Sequence, residues 1–450
     1  MKVDLLVAEI GSTTTIVNAF SGIKASRPRF LGQATAATSV LEGDVTLGLE
    51  QARRRLAQSL GVERMEAEEV FATSSAAGGL SMTVHGLVPD MTVRAAREAA
   101  LGSGAVLRLV TSGKLRDHDI GRVRAAQPRI IMIAGGTDGG ERETALHNFD
   151  RLSRALPRTP FLYAGNTDND EEIRSLAKSR QVKLYLTENV YPSLDALNIQ
   201  PARQIIQTIF EEHIVEAPGM AHIHEAVTGP IMPTPGAVMA MTEHMYAELG
   251  DLVVLDVGGA TTDLHSVTPG SEKLLDFRID PEPLAKRSVE GDLGVYVNRD
   301  QVIEAMTPDE RRALPKDYRD LLRQVAEIPQ GPEQMALILP LVRTCCREAL
   351  DRHAGRLYEQ FTVRGRRTVV RGRDLTAVGT LIATGGALTR LPGMGRLITG
   401  LLGQAPADRL YPPPGARVMI DKDYLMASCG VIARSYPQAA IRLLLDSLAK

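Results

Sequence analysis

A strand that runs through a core, meets a carboxylate and is turned back by glycine can be built in few ways. Residues 251 to 268, Asp-Leu-Val-Val-Leu-Asp-Val-Gly-Gly-Ala-Thr-Thr-Asp-Leu-His-Ser-Val-Thr, spell one of them. The apolar run Leu252 to Leu255 reads as a buried strand, Asp256 ends it, and Gly258 and Gly259 turn the chain into a second strand carrying Thr261, Thr262 and Asp263. Glycine lets backbone N–H groups come close to anionic oxygens, the threonine hydroxyls add donors, and Asp256 can hold a hydrated Mg²⁺ over phosphates. A plain hairpin turn would carry the same Gly-Gly pair. The N-terminal stretch weighs against that reading, because it repeats the plan: an apolar strand (Leu5 to Ala8), a carboxylate (Glu9), then Gly11 with the hydroxyl run Ser12, Thr13, Thr14 and Thr15, then a returning strand (Ile16 to Phe20). Two hairpins of one design predict a duplicated domain. A third element, Leu381 to Leu388, is a strand that runs into the turn Gly385, Gly386, Ala387, where backbone can pass close to a ribose or an α-phosphate.

In order, spacing and chemistry these three elements resemble the phosphate-1, phosphate-2 and adenosine motifs of the actin-like ATPase superfamily, which includes sugar kinases, heat-shock chaperones and acetate kinase. Longer blocks carry a closer likeness: Glu9-Ile-Gly-Ser-Thr-Thr-Thr, Ala72-Thr-Ser-Ser-Ala-Ala-Gly-Gly-Leu, Met82-Thr-Val-His-Gly-Leu-Val, Ala134-Gly-Gly-Thr-Asp-Gly-Gly-Glu, Tyr163-Ala-Gly-Asn, Thr187-Glu-Asn-Val-Tyr-Pro and Val289-Glu-Gly-Asp-Leu-Gly. Together they resemble, over nearly the whole chain, the L component of glutamate mutase, the accessory protein of methylaspartate mutase. That family shares a name and nothing else with a DNA mismatch-repair protein.

The resemblance implies an α/β fold of two actin-like (ribonuclease H-like) ATPase domains, drawn here as residues 1–235 and 236–450, with a nucleotide cleft between them that closes on ATP and opens on ADP. ATP phosphates would meet Gly11, Ser12, Thr13, Thr14, Thr15, Gly258, Gly259, Thr261 and Thr262. Mg²⁺ would sit near Glu9 and Asp256, and ribose or adenine near Gly385, Gly386 and Ala387. Asp256, Glu9 and Asp263 are the catalytic candidates, with Asp263 either orienting water or a Mg²⁺ ligand, or merely satisfying backbone N–H groups. The function implied is a slow ATPase acting as accessory or reactivating chaperone for an adenosylcobalamin-dependent mutase. A small-molecule kinase and a nucleotide-gated assembly protein are the alternatives. Slowness is expected from Glu9, where many superfamily members carry Asp. The extra methylene moves the carboxylate by about 1.5 Å, and misplacement of that order costs about a hundredfold near a reacting phosphate.

Bulk properties narrow the partners. Fifty-two Lys and Arg against 54 Asp and Glu leave a formal net charge of −2, so no global field draws the chain to nucleic acid or to an anionic membrane. There is no signal-type N-terminal stretch and no run of roughly 18 apolar residues, which leads us to expect a soluble, cytoplasmic protein. Cys345, Cys346 and Cys429 form no CxxC pair and read as buried packing.

Along the chain, Arg29 to Thr35 is a third strand, and Asp44 or Thr46 caps a helix with Leu49, Ala52, Leu56 and Leu60 on one face and Gly61 past its end. Thr92 is expected to cap a helix ending near Leu101. Strands at Val106 to Val110, Ile130 to Ala134, Phe161 to Ala164 and Val182 to Leu186 alternate with helices, which is the grammar of a parallel sheet. The loop Gly135 to Glu141 then lies at a strand C-terminus and either contacts a ligand or simply turns and caps. Asn166, Asp168, Glu188 and Asn189 share its edge, and His85 reads as a core histidine. The segment with Pro218, Gly219, Pro233, Pro235 and Gly236 marks the domain boundary, with His222 and His224 in a surface loop. A long helix over Gln334 to Phe361, an exposed arginine-rich strand pair at Val363 to Arg373, and a closing helix from Asp421 to Arg434 complete the reading.

Overall fold

The computed structural model describes residues 1–11, 14–25, 27–39, 42–75, 80–194, 196–213, 219–326, 329, 331–362 and 365–450. The chain forms two compact units, Met1–Ala240 with Ala427–Ala440, and Met241–Met426 with Ile441–Lys450. Residues 427–440 belong to the first unit although they come after nearly all of the second.

The first unit holds β1 (Lys2–Ile10), β2 (Thr14–Ser21), β3 (Arg29–Ala37) and β4 (Glu66–Ser74), then β5 (Ser81–Gly86), β6 (Val106–Ser112), β7 (Ile130–Ile133), β8 (Phe161–Tyr163) and β9 (Leu184–Leu186), and last β10 (Ile231–Pro233). One sheet has the order β10-β4-β1-β2-β3, and an inserted sheet the order β6-β5-β7-β8-β9. β1 is central and buried on both faces, which is why its sequence is a near-continuous apolar run instead of an alternation. Leu6, Ala8 and Ile10 share a core with Leu49, Ala52 and Leu56 of the helix Val45–Ser59. Asp44 caps that helix by accepting from the Thr46 N–H at 2.9 Å.

Two details differ from expectation. Thr92 caps no helix: its Oγ1 accepts from the Leu87 and Val88 N–H groups at 2.9 and 3.2 Å, and after the wide turn Pro89–Val93 the helix begins at Arg94. The proline-rich stretch is no mere linker either, since Ile231–Pro233 pairs in parallel with β4. Proline lacks a ladder donor but is tolerated in an edge strand, and three residues are too few to show a period.

The second unit holds β11 (Leu252–Val257), β12 (Thr262–Val267), β13 (Ala285–Glu290), β14 (Arg356–Thr362), β15 (Gly365–Arg371), β16 (Thr380–Thr384) and β17 (Arg417–Ile420). The order β13-β12-β11-β16-β17 repeats that of β3-β2-β1-β4-β10. The directions repeat too: an antiparallel meander of three strands, then two strands parallel to the first. This is the predicted duplication. The long helix stops at His353, short of Phe361, because Gly355 crosses β15 so closely that a Cβ there would lie 2.7 Å from the Arg371 carbonyl. β14 and β15 form the arginine-rich pair, starting earlier than expected. Arg373, assigned to that exposed edge, is instead 2 % exposed and donates to Ser266 and to the Pro283 and Leu284 carbonyls. The helix expected over Asp421 to Arg434 covers only Met426–Ala433, Asp421 lies in the turn after the strand Arg417–Ile420, and the chain closes instead on the helix Pro437–Leu448.

Within the first unit, Gly430 makes the tightest helix crossing, for an ideal Cβ there would stand 1.9 Å from the Ala237 carbonyl oxygen. Gly430→Ala gains about 1 kcal/mol of helix propensity but loses about 1–3 kcal/mol to overpacking against backbone that cannot rotate away. We expect a net destabilisation, read as a lowered urea midpoint with an unchanged slope.

Candidate functional site

In the second unit the sequence motif folds into one polar edge. Asp256 does not end its strand; it sits one residue inside β11, directly opposite Asp263 of β12. Cross-strand partners share a face, so two carboxylates point the same way. Asp263 is 7 % exposed and accepts from Arg287 Nη2 at 3.0 Å. Burial first, and then the neighbouring Asp263 and Asp421 carboxylates, push the half-buried Asp256 up to about 7, with Arg287 pulling the other way. The parallel neighbour β16 brings Gly385 against Asp256: its φ is 87°, and a Cβ there would lie 2.4 Å from Asp256 Oδ1 and 2.5 Å from the Val257 carbonyl. Glycine is therefore required at 385 by contact as well as conformation. Beside it Thr384 Oγ1 donates to the buried Asp421 at 3.0 Å, which also accepts from Ser447 and from the Leu425 and Met426 N–H groups.

The turn itself is asymmetric. Gly258 N–H closes it onto the Thr261 carbonyl at 2.9 Å. The turn's carbonyls are then drawn back into the protein: Val295 donates to Gly258, Tyr296 and Val297 donate to Gly259, and Asn298 Nδ2 donates to Ala260. Among the described residues nothing accepts from the N–H groups of Gly259, Ala260 and Thr261. A turn whose carbonyls are tied down and whose N–H groups are left over has the donors that an anion would need. Thr262, by contrast, spends its hydroxyl on the Leu293 carbonyl at 2.6 Å and is fully buried.

Sequence reasoning missed the loop that holds the turn. Its signal was the block Val289 to Gly294: a Cβ at Gly294 would sit 2.4 Å from the Ala260 backbone, so only glycine lets the loop close over the turn.

The first unit builds the same turn with different surroundings. Gly11 N–H bonds the Thr14 carbonyl at 2.9 Å, as Gly258 does to Thr261, and Thr15 Oγ1 meets Thr38 Oγ1 at 2.8 Å. Ser12 and Thr13 lie outside the described residues. Glu9 is 5 % exposed, and its Oε1 accepts from Ser428 at 2.6 Å and Asn18 at 3.3 Å, while Asn18 also donates to Ser428 at 2.9 Å. Ser428 stands 419 positions from Glu9 in the chain, so nothing local in the sequence pairs them.

The glycine loop of the inserted sheet turns and caps. Asn189 donates to the Gly136 carbonyl and to Asp138, Asn166 to the Gly140 carbonyl, and Gly139 N–H to Asp168. A Cβ at Gly136 would fall 2.0 Å from the Glu141 carbonyl, and Glu141 caps the helix Glu143–Ala155 through the Thr144 N–H. The glycines serve the loop's own close contacts. His85 is the expected core histidine, bonded to Thr83 and Thr111 hydroxyls and held down to about 3 by burial. His222 is exposed at the head of the short helix Ile223–Ala226.

Among the described residues no three His, Cys, Asp or Glu side chains gather as a metal cage. Mg²⁺ bound to a nucleotide asks less of a protein, one or two carboxylates with waters and phosphate oxygens completing its shell. Asp256 fits, since a carboxyl held up to about 7, by burial first and then by neighbouring acids, is one that a cation would restore to its ionised form. The raised value also has a stability consequence. Between the unfolded carboxyl's ordinary value near 4 and about 7 the folded chain holds the extra proton, so stability falls as pH rises through that window. Asp256→Asn removes the penalty. We expect the nucleotide-free variant to be more stable than the parent at pH 8, by on the order of 1–4 kcal/mol, and the gap to close towards pH 4. Thermal denaturation across pH measures it, and a pH-independent difference would refute the assignment.

The family described as "MutL protein" matches residues 5–448. "Protein MutL" of Clostridium tetanomorphum is 34% identical over 462 residues, covering 99% of this chain and 99% of that protein. Solved structures are far more distant. The diol dehydratase-reactivating factor in nucleotide-free form has 11% identity and a TM-score of 0.35, with 97% of this chain and 100% of that one covered. The ethanolamine utilization protein EutJ from Carboxydothermus hydrogenoformans has 10% identity and a TM-score of 0.31, with 95% and 88% covered. Neither bears on the reading of the site. Full-length coverage at a third identity does establish kinship, and the chain belongs to the MutL family, that of the glutamate mutase L component.

Proposed function

We propose that the protein binds Mg-ATP and, as a slow ATPase, serves as the accessory or reactivating partner of an adenosylcobalamin-dependent mutase. The observation that carries the nucleotide half is the turn Gly258–Thr261, with its carbonyls tied inward and three N–H groups left for an anion. In this reading Gly258, Gly259 and Thr261 take phosphate, Asp256 holds Mg²⁺ through water, and Gly385, Gly386 and Ala387 of the same unit border the ribose. Thr262 supports the turn through Leu293 instead of touching phosphate. Glu9 with Gly11, Thr14 and Thr15 is the like-built phosphate turn of the first unit, and Ser12 and Thr13 are retained there from the motif.

Magnesium, when bound, neutralises charge developing on the transferred phosphoryl oxygens. The chain's own residues orient and hold. Asp263 is fixed by Arg287 and can orient a water or a Mg²⁺ ligand. Glu9 already accepts from two neutral donors, which leaves its Oε1 occupied and supports slow turnover. A timed state change suits an accessory protein better than flux does. The mutase half rests on membership of the MutL family. Among the described residues no helix is long and apolar enough to cross a membrane.

Three outcomes test this. Preformed Mg-ATP should release close to one proton per site at pH 6 and almost none at pH 8.5, because Asp256 must ionise to meet the metal. Calorimetry in buffers of differing ionisation enthalpy reads it, and Asp256→Asn should lose both the release and most of the affinity. Phosphate release should be slow alone and altered by a cobalamin mutase. Phosphorylation of any sugar, carboxylate or amino acid at about 10 s⁻¹ would replace this reading with a kinase.

A further inference from the structure

The turn Gly258–Thr261 is joined to the loop over it by hydrogen bonds of two kinds. Val295 N–H donates to the Gly258 carbonyl at 3.3 Å, and the Tyr296 and Val297 N–H groups donate to the Gly259 carbonyl at 2.9 and 2.8 Å. These are main-chain bonds, which a change of side chain leaves available. The other kind comes from one side chain. Asn298 Nδ2 donates to the Ala260 carbonyl at 2.7 Å and, with its second hydrogen, to the Gly291 carbonyl at 2.8 Å.

A peptide unit is planar and trans, so the C=O of one residue and the N–H of the next point in opposite directions. Each carbonyl drawn into the loop therefore turns outward the N–H that follows it. The tie on Gly258 aims the Gly259 N–H, the tie on Gly259 aims the Ala260 N–H, and the tie on Ala260 aims the Thr261 N–H. These are the three N–H groups that find no acceptor among the described residues. Gly259 and Ala260 are exposed and Thr261 is half-buried, so a ligand can reach the row. Two of the three are aimed by backbone, and the third depends on an amide side chain. An amide nitrogen has two hydrogens on one atom and so serves both carbonyls, whereas a carboxylate of the same shape only accepts and would face two carbonyl oxygens. Without either group the Ala260 carbonyl is free to swing towards the place where an anion would lie.

We propose that Asn298 is a positioning residue, which holds the Ala260 carbonyl so that the Thr261 N–H is aimed at a phosphate oxygen of the nucleotide. This rests on the Mg-ATP reading above. The test compares the parent with Asn298→Ala, Asn298→Asp and Val297→Ser, the last removing an exposed side chain (64%) of the same loop while its N–H tie remains. Calorimetry with Mg-ATP reads affinity. Residue-resolved amide hydrogen exchange, with and without saturating Mg-ATP, reads each of the three N–H groups, and thermal melting verifies the fold.

We expect Mg-ATP to slow exchange at Gly259, Ala260 and Thr261 in the parent and in Val297→Ser. Asn298→Ala should bind roughly tenfold more weakly and, once saturated, keep the slowing at Gly259 and Ala260 but lose it at Thr261. Asn298→Asp should lose it too, with a greater loss of affinity. Variants at Asn298 that bind as tightly as the parent, with Thr261 still protected, would overturn the positioning role and leave the nucleotide reading intact. Loss of the fold, or of protection at all three amides together, would make Asn298 a staple of the loop and overturn the role as well. A parent that does not bind Mg-ATP, or binds it without slowing these amides, would overturn the reading of the turn and this role with it.

Discussion

Two carboxylates facing each other across an antiparallel pair set the terms for the second unit. Asp256 and Asp263 occupy one register position, and Arg287 donates to Asp263. Like charges so placed repel, and the arrangement persists because the surroundings over-determine it. β11 is fixed between β12 and β16 by its buried ladder, and Gly385 presses on Asp256 from the far side. A site that stores unfavourable charge without a ligand is complementary to one that brings positive charge. The same logic holds at the turn, where unspent N–H groups await an anion. The paired carboxylates and the unspent N–H groups lie next to one another at the turn end of a single hairpin, the arrangement that a metal-bound polyphosphate would match.

The duplicated sheets show how one backbone plan serves different electrostatics. Glu9 and Asp256 hold equivalent places, each two residues before the glycine whose N–H closes the turn. Glu9 is embraced by the neutral donors Ser428 and Asn18, whereas Asp256 stands among other acids. The first therefore has its geometry fixed by hydrogen bonds, and the second has its charge state left adjustable. The two hairpins share a fold and differ in chemistry. The proposed metal binding rests more directly on Asp256 than on Glu9.

Ser428 reaches Glu9 because the helix Met426–Ala433 packs in the first unit, with Gly430 against Ala237. A few residues earlier, Asp421 of the second unit accepts from the Leu425 and Met426 N–H groups at the head of the same helix. Within the first unit, the helix needs Gly430 for its close approach to Ala237.

Much was legible in the sequence because the signals were local. The hairpins, the glycine turns, the parallel βαβ run and the cap at Asp44 depend on neighbours a few residues apart, where periodicity and backbone conformation speak directly. The turn was legible in outline, since Gly258 and Gly259 announce it, but the carbonyl ties from residues 295–298 were not. What only tertiary structure decided are the pairings between distant residues. Arg373 reads as one more surface arginine and is buried under the Pro283 and Leu284 carbonyls. Thr262 reads as a phosphate donor and is claimed by Leu293. Ser428 reads as nothing and holds Glu9. A side chain's partner depends on which strands and helices pack together, and packing is a sum over the whole chain that no short window of residues contains.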